Sequence, residues 1–213
     1  MAIKNRISRF HDEKGNRVDL TGALYAPLAF ASAVGRVAFG YRPPRPMLSY
    51  RATRVIDDLL KNDWRCVEFG SGLSTGWFAR RCDFLLSVED NSDWHALVQA
   101  RIRSAGINHV QYELRERGDY ADLSAFADAS FDFVLIDGWD RHGCVLSAVS
   151  KVRAGGWIYL DNSDKDMTIP NGDLRRAEAA LLAAVEDRGG TVRYFVDFSP
   201  TNFFVEQGLL VQL

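Results

Sequence analysis

Acidic and basic residues nearly cancel in this 213-residue chain: 26 Lys and Arg against 28 Asp and Glu give a formal charge of −2. No basic surplus remains to form the electrostatic footprint of a nucleic-acid-binding surface, and no nucleic-acid partner is expected. Cysteine is scarce, and Cys66, Cys82 and Cys144 share no metal-ligand spacing. So small and odd a number of thiols points to reduced cysteines in a cytoplasmic protein rather than to a disulfide framework. Cys66 and Cys82 flank apolar runs, so both are expected to be buried. The chain has no internal repeat and no low-complexity stretch. No apolar segment follows at once after the basic, polar N-terminal residues, so no cleaved leader is expected.

An unbroken apolar run of membrane-spanning length is also missing. The nearest approach, LTGALYAPLAFASAVGRVAFGY at residues 20–41, is interrupted by Pro27, Gly35 and Arg36. Many of its residues are small rather than strongly apolar, which disfavours a span. It reads as a packed helix or one that forms a homodimer, with an interfacial membrane helix as the alternative.

What is present is an ordinary globular composition, 47% hydrophobic and 25% charged, enough for one domain with a sizeable core. Residues 1–20 read as irregular, and a helix started or kinked at Pro27 follows. YRPPRP, residues 41–46, is a stiff break. Ser49 is placed to cap the next helix, YRATRVIDDLLKN, whose apolar face carries Val55, Ile56, Leu59 and Leu60. Residues 1–47 thus read as an N-terminal helical extension and 48–213 as the main domain.

From residue 65 strands and helices alternate. RCVEF, FLLSVE, HVQYELR, FDFVLID and WIYLDN read as strands. Between them lie helices at STGWFARRC, at SDWHALVQARIRSAG with Ser92 as cap and Gly106 as stop, and at RHGCVLSAVSKVRAGG, ended by its glycines. DLRRAEAALLAAVEDRGG is amphipathic, with Leu174, Ala177, Leu181, Leu182 and Val185 expected in the core. TVRYFVDF and NFFVEQG, joined by Ser199-Pro200-Thr201, read as a closing hairpin. Apolar strands alternating with helices predict an α/β fold: a doubly wound, mostly parallel sheet of seven strands with an antiparallel edge hairpin.

Ligands of such sheets bind beyond the carboxyl ends of the strands. Those ends are Glu68-Phe69-Gly70-Ser71-Gly72, Glu89-Asp90-Asn91, Arg117-Gly118-Asp119, Asp137-Gly138-Trp139-Asp140 and Asp161-Asn162-Ser163-Asp164. Repeated acids suit a ligand with hydroxyl or amine donors and a positive charge. Gly70 and Gly72 allow a ligand close to the backbone, and the helix after them offers N–H groups to an anion. Ser71, Ser74 and Thr75 complete this loop. Glu89, 19 residues after Gly70, is spaced for ribose hydroxyls, with Asp90 beside it. A dinucleotide is disfavoured: the third position of G-x-G-x-x-G/A is Thr75, and a pyrophosphate would be repelled by Glu68.

VEFGSGLSTG resembles the first motif, E/D-x-G-x-G-x-G, of class I S-adenosylmethionine-dependent methyltransferases. LLSVEDNSDW resembles the second motif, while FDFVLIDG and AGGWIYLDNSD resemble the fourth and fifth strands. The resemblance covers about Leu48 to the C-terminus. It is closest to bacterial methyltransferases with an E-x-GSG-x-ST loop and an LDNSD segment. One departure is Ser74 at the third glycine position, with Gly76 two residues on. The resemblance implies a Rossmann-like fold and S-adenosyl-L-methionine as cofactor. It also implies that Glu68, Gly70 and Gly72 hold the methionine end, Glu89 the ribose and Asp119 the adenine side.

Asp137, Asp161 and Asn162 resemble the trio that binds a divalent cation in catechol and caffeoyl-CoA O-methyltransferases, implying Mg2+ at this place. Otherwise Asp137 meets the methionine ammonium, and Asp161 and Asn162 cap the next loop. Gly138-Trp139-Asp140 departs from those families.

Methyl transfer needs mainly alignment of the nucleophile, and a base helps when that nucleophile is a hydroxyl. His142 is the candidate base by residue type, with Asp140 and Asp164 as alternatives, and Asp137 stands with His142 and Asp140 among the candidate catalytic residues. His11, His95 and His109 are placed away from the site and given no role. Trp94 and Trp139 read as pocket lining or as packing. The loop NSDKDMTIPNGD is polar enough to act as a lid. The resulting expectation is O-methylation of a small hydroxylated metabolite or sugar, and the absence of an N/D-P-P-Y/F motif argues against methylation of base amino groups. The alternatives are an aminopropyltransferase of the same fold, an NAD-linked oxidoreductase, and a non-catalytic module that docks a partner or membrane through residues 20–41.

Overall fold

A computed structural model describes residues 6–213; the first five residues of the expected extension lie outside the described residues. The order is α1 (Leu20–Ala23), α2 (Ala26–Phe39), α3 (Tyr50–Leu59), β1 (Arg65–Phe69), α4 (Leu73–Ala79), β2 (Phe84–Glu89) and α5 (Ser92–Ser104). Then come β3 (Val110–Leu114), β4 (Phe131–Ile136), α6 (Arg141–Lys151), β5 (Val152–Leu160), α7 (Asp173–Arg188), β6 (Thr191–Phe198) and β7 (Val205–Gln212). The seven strands form one sheet in the order β3-β2-β1-β4-β5-β7-β6. β7 is antiparallel to both β5 and β6, so the closing hairpin forms one margin and its second strand lies inside its first.

Apolar side chains leave both faces of the sheet, so both are covered. One face carries α6 and α7, packed through Cys144, Val145, Leu174, Ala177, Leu181 and Val185 against Val134, Ile136 and Ile158. The other carries α3 and α4, whose Ala52, Ile56, Trp77 and Phe78 meet Cys66, Leu85 and Phe133. All three cysteines are buried and free. Ser49 caps α3 by accepting from Ala52 N, and α2 begins with Pro27 in its first turn.

Several boundaries differ from the sequence reading. Asn91, not Ser92, caps α5, accepting from Trp94 N. The glycines do not end α6: it stops at Lys151 and β5 begins at Val152, taking Gly155 and Gly156 into a bulged strand opposite Phe131–Phe133. Gly155 adopts φ +75°, and a Cβ on Gly156 would lie 2.6 Å from Val152 Cγ1. These glycines therefore serve the bulge rather than a helix stop. α7 also does more than fill the core. Its buried Glu178 accepts from Lys14, Arg175 and Tyr194, tying the N-terminal segment to the sheet margin.

Candidate active site

The switch in strand order falls between β1 and β4, where β1 is flanked by β2 on one side and β4 on the other. At their carboxyl ends lies a cavity of about 320 Å³. Glu89, Asp90 and Asp137 supply its carboxylates, Gly70 and Gly138 its bare backbone, and Tyr120 and Trp139 its aromatic wall. Ser71 completes the lining, which includes no lysine or arginine. Arg117 stands outside, exposed, pairing with Asp90 at 3.6 Å and covering the Trp139 ring at 4.0 Å.

The floor is a close approach of two loops. Gly70 has φ +97°, and a Cβ there would lie 2.7 Å from Gly138 N. A Cβ on Gly138 would lie 1.9 Å from Tyr120 Oη and 2.9 Å from Gly70 N. Only glycine at both positions lets the β1 and β4 loops meet.

Glu68 lies beneath this floor. Parallel register sets Ser87 beside it, and the Ser87 and Thr75 hydroxyls both donate to its Oε2 at 2.6 Å. Its Oε1 is buried without a hydrogen-bond partner. Burial raises the carboxyl to about 7, against the hydroxyl hydrogen bonds that pull it down. Thr75 also accepts from Gly72 N at 3.0 Å, so that N–H is not free for an anion as the glycine-helix pattern suggested. Glu89 is buried and saturated: Oε2 accepts from Ser71 N and Oγ, and Oε1 from Asp90 N and Asn91 N. Tyr112 meets Ser71 Oγ at 2.8 Å, and the Trp94 indole donates to Ser71 O at 2.9 Å. Trp94 therefore fixes the loop, whereas Trp139 lines the cavity. Ser74 is half-buried at the start of α4 and is not part of the cavity wall.

Other expected residues are elsewhere. Asp119 is exposed and outside the lining; the turn at 117–121 presents the adjacent Tyr120 instead. His142 turns to α7, with its Nδ1 at 3.2 Å from Arg176 Nη1, because its helix packs there. Asp140 has φ 42° and caps α6 by accepting from Gly143 N. Asp164 is buried at the N-terminal segment, accepting from Glu13 N and Gln207 N. His95, set aside in the sequence reading, stacks on Tyr112 with ring centroids 4.2 Å apart, next to the Ser71 loop. Within the stretch expected to act as a lid, Arg175 binds the Ser163 and Lys165 carbonyls and Asp166 accepts from Leu174 N, which pins its first half.

The trio Asp137, Asp161 and Asn162 does converge, but around an arginine. The Arg141 guanidinium donates to Asp137 Oδ1 at 3.0 Å, to Asn162 Oδ1 at 3.3 Å and to the Asp161 carbonyl, while its Nε donates to Gly138 O at 3.1 Å. A cationic side chain thus fills the place where the trio would hold Mg2+, and no group of three His, Cys, Asp or Glu is arranged for a metal among the described residues. The donor set does not fit the ion. Burial raises both aspartates, and Asp161, which also faces the charges of Asp137 and Glu206, is raised further. Gly138, Tyr112, Tyr120 and Arg141 were given no role from sequence. Only Arg141 carried a signal, a cation four residues after Asp137 at a helix start.

The chain matches no protein-family model and no curated protein sequence. Its structure is similar to an O-methyltransferase from Bacillus cereus in complex with S-adenosylhomocysteine, at TM-score 0.64 and 15% identity over 91% of this chain and 96% of that one. It is also similar to a cofactor-bound protein from MTB, at TM-score 0.62 and 20% identity over 91% and 95%. An rRNA methylase from Streptococcus thermophilus aligns at TM-score 0.56 and 12% identity over 76% and 94%. At these identities the likeness shows the fold: this is the Rossmann-like fold of class I S-adenosylmethionine-dependent methyltransferases.

Proposed function

We propose that this chain is an S-adenosylmethionine-dependent methyltransferase acting on a hydroxyl of a small metabolite. The observation that carries the reading is the cavity with three carboxylates, two bare glycines and no lysine or arginine in its wall. A sulfonium nucleoside brings positive charge and ribose hydroxyls, which such a wall accepts; a dinucleotide brings a pyrophosphate, which it repels. In this reading the free Oε1 of Glu68 anchors the methionine ammonium, with Gly70, Ser71 and Gly72 along the chain of the ligand. Glu89 and Asp90 receive the ribose after Ser71 Oγ yields its bond. Tyr120 and Trp139 flank the adenine.

None of His142, Asp140 and Asp164 lines the cavity, whereas Asp137 does, and burial lifts its carboxyl in the direction a general base needs. Arg141 orients it, and no step passes through a metal. Oxygen as acceptor is supported by likeness to an O-methyltransferase, while the rRNA methylase shows that the fold serves other acceptors too. Isothermal titration with S-adenosylhomocysteine, with NAD as control, tests the reading. Heat from the first alone is expected. Heat from NAD alone would make the chain an oxidoreductase, and none from either would favour a non-catalytic module.

A further inference from the structure

We propose that α1 and α2 dock the protein on an anionic phospholipid surface. Every exposed residue of α2 is apolar: Leu28, Phe30, Val34, Val37 and Phe39, with one proline and two alanines between them. The exposure is large, at 87% for Val37, 82% for Phe39 and 89% for Leu20 in α1. Monomeric proteins rarely leave so continuous an apolar face in water.

The segment is fastened along its opposite stripe. Ala29 is buried, Ser32 Oγ accepts from Thr201 N at 2.9 Å, and Arg36 donates to Asn202 at 3.3 Å. At the margin of the exposed face Phe30 packs edge-on against Phe203 at 5.3 Å. A helix lashed lengthwise to the loop between β6 and β7, and broken at Leu24–Tyr25, lies on the protein rather than crossing a bilayer. Its outer face is free to enter the headgroup boundary.

Charge selects the occupant. Between Asp19 and Asp57 the sequence has five arginines and no acid. Arg42 and Arg45, directly after α2, are exposed and join no ion pair among the described residues. An anionic lipid surface complements this apolar face with its arginine flank. A second copy of this face offers no acid between Asp19 and Asp57 to meet those arginines, so self-association is the disfavoured occupant.

Co-sedimentation of the purified full chain with vesicles tests this. Vesicles of equal parts phosphatidylcholine and phosphatidylglycerol should retain the protein about thirtyfold better than phosphatidylcholine alone, from two arginines. Added salt should erase that difference. Val37→Asp and Phe39→Asp, both at exposed positions, should abolish retention while thermal melting stays near wild type. No retention by either vesicle overturns the proposal. So does light scattering that shows a dimer dissociated by Val37→Asp, which would assign the face to a second copy.

Discussion

The Arg141 guanidinium meets the Asp137 carboxylate at 3.0 Å, at the point where three oxygen-bearing residues converge at adjacent strand ends. The charge these oxygens require is supplied by the chain itself. Turnover should therefore be unchanged by a strong chelator. Arg141→Ala should lower stability by about 3–5 kcal/mol, because it leaves the paired aspartates uncompensated. Chemical denaturation measures the second effect. A chelator-sensitive enzyme, restored by Mg2+, would return the cation to the trio.

Glu68 predicts a pH-dependent stability. Its carboxyl is raised to about 7 in the fold from an ordinary 4.5, so the folded state binds the proton more tightly than the unfolded state. The stabilisation is complete below the unfolded value and is lost as pH rises through the folded one, by roughly 3 kcal/mol at most. Glu68→Gln should remove that loss. The unliganded variant should melt above wild type near about pH 8 and with little difference near about pH 5, while binding of S-adenosylhomocysteine collapses. Equal melting of the two proteins across that range would mean that Glu68 does not hold its proton.

Glu89→Ala should weaken S-adenosylhomocysteine binding by a few kcal/mol at most, about 1.5–3 for each charge-assisted bond removed. The same change frees Ser71, whose N and Oγ both donate to Glu89 Oε2, so exchange protection of the Ser71 amide should fall as well. Unchanged affinity in calorimetry would move the ribose elsewhere.

Gly138→Ala forces a methyl to within 1.9 Å of Tyr120 Oη, and a destabilisation of about 1–3 kcal/mol is expected from overpacking. Adding Tyr120→Phe should regain part of it, since the hydroxyl is the nearest obstruction while Gly70 N remains at 2.9 Å. Denaturation of the single and double variants reads the coupling. Additive effects would separate the two residues.

Much of this was legible in the sequence because it is local. RCVEF, FLLSVE and TVRYFVDF occur as strands with those limits, since β-branched and aromatic runs between breakers have one favourable pairing geometry. Glu68, Gly70 and Glu89 follow from a strand-turn-helix unit whose spacing is fixed along the chain. Less local features misled. Gly155 and Gly156 read as a helix stop but belong to a bulge that forms only against β4. His142 was placed by its nearness to Asp137, yet the packing of α6 on α7 points it at Arg176.

By itself, then, the sequence determined the alternation of elements, the acidic strand ends and the apolar helix before Arg42, with Arg36 as its one charge, because each depends on residues close together in the chain. Tertiary structure alone decided the Gly70–Gly138 approach beneath Tyr120, the saturation of Glu89 and the caging of Arg141 by Asp137, Asp161 and Asn162. These join segments brought together by sheet order, and strand pairing leaves no mark in the residue pattern of either segment alone.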